Sequence, residues 1–191
     1  MLYSFRPSDR RGFSLIELMI VVVIIGIMAA VVAPRTAGDR WQLDGAVRAA
    51  SAELGYAAQS AVTLQSDVRV SFQADSGRVR THEDRNNNGA VDAGERVRWT
   101  SIASNVYFAR ASAAALPMGS AAVTFTGTAD GMPTVIFRRD GSASEEGGLY
   151  LTTRRAAQRS STRDVRAVVV TRSTGRTTPM TAASGSWQVS Q

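Results

Sequence analysis

Two arginines, Arg10 and Arg11, stand just before an apolar run from Phe13 to Ala33 that holds a single charged side chain, Glu17. At 1.5 Å of rise per residue, about 20 helical positions reach roughly the 30 Å of a bilayer core. The run is long enough for one membrane span, and the arginines before it stay on the cytoplasmic side, which sends the remaining chain across. A carboxylate inside such a helix costs about 2 to 3 kcal/mol on insertion scales, so Glu17 calls for a partner or a place near the interface. An ordinary secretory signal would use Arg10 and Arg11 as its basic region and the small residues from Ala29 to Ala33 for cleavage. It has no use for Glu17, and Pro34 follows awkwardly.

The helical pattern continues beyond Pro34. Leu43, Val47, Ala50, Leu54, Ala57, Ala61 and Leu64 recur at spacings of four and three, which places them on one stripe of a helix. Pro34 removes one helical hydrogen bond, so a kink is expected there within one long helix from about Ser14 to about Leu64, roughly 75 Å in length. From Asp67 the period changes to two. Val68, Val70 and Phe72 alternate with polar residues, and Arg78 to Arg80 follow after Gly77. Further strands are expected at Glu95–Ile102, with Val97 and Trp99 on one face, and at Asn105–Arg110, Ala121–Thr126, Thr134–Arg138, Leu149–Thr153, Val165–Arg172 and Trp187–Ser190. Turns are expected at 127–131, Asp140-Gly141, Gly147-Gly148 and Thr174-Gly175, and a short helical turn or a loop at Ala111–Pro117. Many short strands behind one long helix indicate an α+β fold, antiparallel sheets packed on the helix.

The hexapeptide Gly12-Phe13-Ser14-Leu15-Ile16-Glu17 resembles the cleavage and methylation motif of type IV prepilins and pseudopilins. The resemblance implies cleavage by prepilin peptidase between Gly12 and Phe13, N-methylation of Phe13, and a role for Glu17 in assembly. It implies a cleaved leader over 1–12, a transmembrane and assembly segment over 13–34, an amphipathic second half of the helix over 35–64, and a periplasmic β-rich domain over 65–191. The order of elements, with the stretch from Asp164 through Val168-Val169-Val170 to Gly175-Arg176, is similar to the H-type pseudopilins of type II secretion and related minor pilins of type IV pili. Such a protein is a fibre subunit of the bacterial inner membrane and not an enzyme. Its implied partners are other pilin or pseudopilin subunits, the peptidase and the inner-membrane assembly platform.

Composition narrows the chemistry. There is no cysteine, so neither disulfides nor thiolate chemistry are available, and the one histidine, His82, leaves little for a histidine-dependent enzyme. Beside Glu83 and Asp84, His82 is expected to be a surface hydrogen-bonding residue. The basic residues number 22, all arginine, against 16 acids, a net charge of +6. Guanidinium groups stay charged and grip phosphate or carboxylate through paired hydrogen bonds.

Two stretches carry further candidate chemistry. Counting from Asp84, oxygen-bearing side chains fall at positions 1, 3, 5, 9 and 12 (Asp84, Asn86, Asn88, Asp92 and Glu95), with Gly89 at 6 and the backbone carbonyl of Ala90 at 7. This is the spacing of an EF-hand calcium loop, although its flanks read as strands. A polar Asn- and Gly-rich turn without metal accounts for the same residues. The second stretch is the carboxy-terminal third, where seven arginines face one acid, Asp164. Minor pilins linked to DNA uptake carry a Gly-Arg-x-Arg motif near the terminus. Here Gly175-Arg176-Thr177-Thr178 keeps the first arginine and has Thr178 in place of the second. Arg172 and Arg176 are the candidate DNA contacts, able to follow a groove if they lie on a mobile tail after the Val165 strand. A solvated basic face is the alternative. Trp187, alternating with Val189, is expected in the core.

Overall fold

The computed structural model describes residues 14–32, 34–102, 104–183 and 185–190, and the chain divides into two units, Met1–Gly38 and Asp39–Gln191. In the first unit, α1 (Leu15–Val32) is apolar on every side. Its described large side chains are exposed by 46% at Val21 to 79% at Leu15. A helix without a polar face needs lipid or protein around it. Its 18 residues correspond to about 27 Å, and among the described residues no helix is long and apolar enough to cross a membrane. The next helix, α2, runs Pro34–Leu64. The kink expected at Pro34 falls at the junction that includes residue 33, which lies outside the described residues.

In the second unit the spacing of apolar residues along α2 becomes packing. Leu43, Ala46, Val47, Ala50, Leu54, Ala57 and Ala61 are buried in the main core. Four of these are alanines, whose single methyl group lets the backbone of the helix approach its neighbours closely, and each fully buried leucine contributes about 1.5 to 3 kcal/mol. Leu64, the last residue of the expected stripe, is 39% exposed.

The strands are β1 (Asp67–Gln73), β2 (Arg78–Asp84), β3 (Val97–Ser101), β4 (Val106–Phe108), β5 (Thr128–Ala129), β6 (Met132–Phe137), β7 (Gly147–Thr153), β8 (Val165–Val170), β9 (Thr177–Ala183) and β10 (Ser186–Val189). They form two five-stranded antiparallel sheets, ordered β3-β2-β1-β6-β5 and β10-β9-β8-β7-β4. Val68, Val70, Phe72, Val135 and Phe137 of the first sheet share the core with Leu149, Leu151, Val168 and Val170 of the second and with the α2 stripe. Phe72 links the layers, edge-on to Phe108 at 5.7 Å and stacked on Phe125 at 5.5 Å. The other face of the second sheet has its own small core of Tyr150, Val165, Ala167 and Ala182 beneath the Ala111–Met118 segment. There the Tyr150 hydroxyl accepts from Leu116 N–H and donates to the Gly119 carbonyl. Trp187 joins this cluster half-buried, its indole N–H on the Ala114 carbonyl.

Two expectations are corrected, and one further element appears. Residues 121–126 form no strand. They touch β7 through one bridge, Val123 with Leu149, because Glu145 captures the N–H groups of Thr126 and Gly127 and turns the chain away. Thr177–Ala183, where no strand was expected, is strand β9, registered against both β8 and β10. Its Pro179 lies just past the last β10 pair, Val189 with Met180, where the sheet tolerates a missing donor. A short helix, α3 (Arg154–Gln158), starts where Thr153 Oγ1 accepts from Ala156 N–H. The Asp130-Gly131 turn is as expected, with φ of +50° and +72°, and closes the β5–β6 hairpin.

Candidate functional site

The N-terminal candidates divide at the start of the description. Gly12 and Phe13 lie outside the described residues. Glu17 sits in the first turn of α1, where its N–H bonds to the Ser14 carbonyl at 3.0 Å, and its side chain is exposed. The first turn of a helix is where a carboxylate meets the positive end of the helix dipole.

The Asp84–Glu95 loop is built from β2 outward. β2 places Arg80, His82 and Asp84 on one face, opposite Ser71, Arg69 and Asp67 of β1. This face is covered, because the loop folds back over it. Asp84 is fully buried and accepts from Arg69 Nε at 2.7 Å, Asn88 N–H at 3.1 Å and Gly89 N–H at 2.9 Å. Glu95, its side chain 5% exposed, accepts from the Arg85 N–H at 2.9 Å and the Asp92 N–H at 3.1 Å and is hydrogen-bonded to His82 Nε2 at 2.7 Å. His82 is thus a buried residue and not the surface residue expected, since the returning loop supplies a carboxylate to its Nε2. The hydrogen bond from His82 is the main cause holding the Glu95 carboxyl below its ordinary value. Asp92 is held low by the amides of Asn86 and Asn88, which reach its Oδ2 at 2.7 and 2.6 Å.

Asn86, Asn88 and Asp92 therefore converge, whereas Asp84 and Glu95, the two ends of the motif, are engaged by Arg69 and His82. Among the described residues no group of three or more His, Cys, Asp or Glu side chains is placed to hold a metal ion. The calcium spacing is present, and in this structure the loop is closed by protein hydrogen bonds.

The basic candidates are also placed. Arg172 and Arg176 are exposed, but they flank the β8–β9 turn and not a mobile tail. Thr171 N–H bonds the Arg176 carbonyl, and Ala143 N–H bonds the Arg172 carbonyl. Gly175 between them has φ +60°, and an added Cβ would lie 2.5 Å from the Gly141 carbonyl oxygen, so the glycine is required by the meeting of two turns. Arg138 and Arg139 are on the 138–142 turn that it meets. Of the other arginines in this third, Arg166 pairs with Asp44 of α2 at 2.9 Å, and the region's one acid, Asp164, pairs with Arg40 at 3.2 Å.

Sequence reasoning missed a second polar centre. Glu53, 8% exposed on α2, accepts from Arg98 at 2.8 Å, from Thr100 at 3.3 Å and from Thr81. Arg98 lies over the Tyr56 ring at 4.4 Å, and the Tyr56 hydroxyl donates to Glu83 at 3.2 Å. An acid at position 53 of α2, opposite strands rich in arginine, was the available signal.

An apolar helix with one carboxylate in its first turn, followed by a helix whose stripe carries two antiparallel sheets, defines an α+β architecture. The model of the prokaryotic N-terminal methylation motif matches residues 7–33. By that segment the chain is similar to proteins that carry a prokaryotic N-terminal methylation motif. Among solved structures it is similar to the minor pseudopilin EpsH from the Type 2 Secretion System of Vibrio cholerae, at 10% identity and a TM-score of 0.43, over 78% of this chain and 96% of that one. No curated protein matches the chain significantly.

Proposed function

We propose that the chain is a minor pilin or pseudopilin, a structural subunit of a type II secretion pseudopilus or a type IV pilus. The observation that carries this reading is the methylation motif at residues 7–33, set before a helix that is apolar all round. Prepilin peptidase cuts between Gly12 and Phe13, and Phe13 becomes the methylated amino terminus. Residues 13–34 anchor the subunit in the bacterial inner membrane with the N-terminus cytoplasmic, and the β-rich domain lies in the periplasm until the subunit joins the fibre. The new amine of Phe13 is a cation, and Glu17 of a neighbouring subunit pairs with it in the low dielectric of the helix bundle. The order of elements, one helical stem and then antiparallel sheets, favours the H-type branch. Mass spectrometry of the membrane-extracted protein tests the reading. A mature chain beginning at methylated Phe13 is expected, and a chain that begins after Ala33 or retains Met1 refutes it.

DNA binding at a pilus tip is the alternative function. The observation favouring it is that Arg172 and Arg176 share one exposed turn, and that this turn meets the one carrying Arg138 and Arg139. Against it, Thr178 stands in β9 where the motif has its second arginine. The structural role is therefore preferred.

A further inference from the structure

The free edge of the first sheet is built to accept another strand. β3 is the terminal strand, and among the described residues nothing pairs with its outer side. The hydrogen bonds that tie it to β2 fix which groups are left over. Glu83 N–H bonds the Arg96 carbonyl at 2.9 Å, and Ile102 N–H bonds the Gly77 carbonyl at 3.1 Å. In an antiparallel pair the bonded positions alternate, so Arg96, Arg98, Thr100 and Ile102 turn their backbone groups to β2. The N–H and C=O groups of Val97, Trp99 and Ser101 point away from the sheet.

Soluble proteins blunt such an edge with proline, a bulge or a very short strand. β3 has none of these. It holds five regularly paired residues without proline or glycine, and Val97 and Trp99 are 36% and 41% exposed. The far edge of the same sheet, β5, is only two residues long.

Charge specifies the occupant. On the Trp99 face, Arg78 lies over the indole ring at 4.6 Å and meets no carboxylate among the described residues. On the opposite face Arg96, its side chain 69% exposed, approaches Glu83 only to 3.9 Å, whereas Arg98 is already paired with Glu53 at 2.8 Å. Positive side chains thus flank both faces of an unpaired backbone edge. Across a strand pair, side chains of opposite charge that face each other are favourable, and like charges are not.

We propose that the outer edge of β3 takes up an extended acidic segment of a partner protein, which adds to the first sheet as a further strand. The segment's backbone pairs with Val97, Trp99 and Ser101. Its acidic side chains meet Arg78 on one face and Arg96 on the other, and an apolar residue lies against Trp99. Backbone pairing supplies affinity, and the alternating side chains supply selectivity.

The test uses the full-length protein in detergent and a fluorescein-labelled octapeptide in which glutamate alternates with valine and threonine, followed by fluorescence anisotropy at roughly physiological salt. Saturable binding is expected. It should weaken at least about tenfold, a readily resolved change in free energy, when alternate peptide nitrogens are N-methylated, and similarly in Val97→Pro and Ser101→Pro. Each proline removes an N–H that points to solvent, so both variants should melt as the parent does. If one variant misfolds, the N-methylated peptide still decides, because it leaves the protein untouched. Arg78→Gln should weaken binding several-fold. Equal binding of the N-methylated peptide, or tighter binding of a version with lysine for glutamate, overturns the proposal. So does displacement of the peptide by oligothymidylate at equal concentration, which would make the edge a nucleic-acid platform. Concentration-dependent self-association that is lost in Val97→Pro, without peptide binding, assigns the edge to a second copy and equally overturns it.

Discussion

Removing the carboxylate of Asp84 tests whether the 84–95 loop is held by the protein alone. Asp84→Ala takes a fully buried acceptor from three donors, Arg69 Nε at 2.7 Å, Gly89 N–H at 2.9 Å and Asn88 N–H at 3.1 Å. Asn88 N–H keeps the side-chain oxygen of Asn86 at 3.1 Å, but Gly89 N–H loses its acceptor and Arg69, 17% exposed, is left without its carboxylate. Breaking a buried pair from one side costs about 3 to 5 kcal/mol. For a domain of this size that is a fall in melting temperature of about 6 to 20 °C. Asp84→Leu combined with Arg69→Leu removes both charges, so the remaining loss should shrink to about 1 to 3 kcal/mol, the cost of the orphaned Gly89 N–H. Circular dichroism melts of the parent, the single variant and the double variant measure this, each with millimolar calcium and with chelator. If the loop is closed by Arg69 and His82 alone, it should melt within about 1 °C in the two conditions. A rise of several degrees with calcium in the parent that disappears in Asp84→Ala would refute the self-closed loop and establish a metal cage.

Four further outcomes follow from the same structure. Glu145 is pushed up by burial, but the N–H of Gly127 and the hydroxyl and N–H of Thr126 outweigh this and hold it below the ordinary glutamate value of 4.5. Its folded-state pKa being the lower one, it stabilises the fold above that value and loses this contribution as pH falls through the lowered one. The melting gap between parent and Glu145→Gln should therefore close in acid, and a gap independent of pH would contradict the assignment. Gly175→Ala should destabilise by about 1 to 3 kcal/mol in denaturant titrations, because it combines a left-handed φ with a clash on the Gly141 carbonyl; an unchanged midpoint would mean that the two turns do not meet. Glu17→Ala should leave cleavage before Phe13 intact while reducing recovery of the subunit in sheared fibres, and normal recovery would remove the pairing role. The chain should retain duplex DNA only at low salt, with log affinity falling by about 0.9 per phosphate contacted for each decade of salt. Micromolar retention at physiological salt that is lost in Arg172→Ala/Arg176→Ala would instead favour the DNA-uptake reading.

What could be read in advance depended on whether a residue's partner lies nearby in sequence. The α2 stripe, the β1–β2 hairpin and the Asp130-Gly131 turn are local patterns, and each appears as expected. β9 was hidden because Thr, Ala and Met give a weak strand signal and Pro179 argues against one, while its register is set by β8 and β10. The charged end of β2 was misjudged for a related reason. Period-two reasoning assigns polar residues to solvent, yet Arg80, Thr81, His82, Glu83 and Asp84 are all buried and point alternately to the two faces. Such a strand is tolerable only if both faces supply partners. Glu53 and Tyr56 of α2 answer Thr81 and Glu83, and Arg69, Glu95 and Asp130 answer Asp84, His82 and Arg80. The acids at the two ends of the calcium-like motif are therefore the ones that the sheet needs. This is how the spacing of a metal loop comes to stand between two strands: Asp84 and Glu95 turn inward to Arg69 and His82, and the asparagines between them close the turn on Asp92.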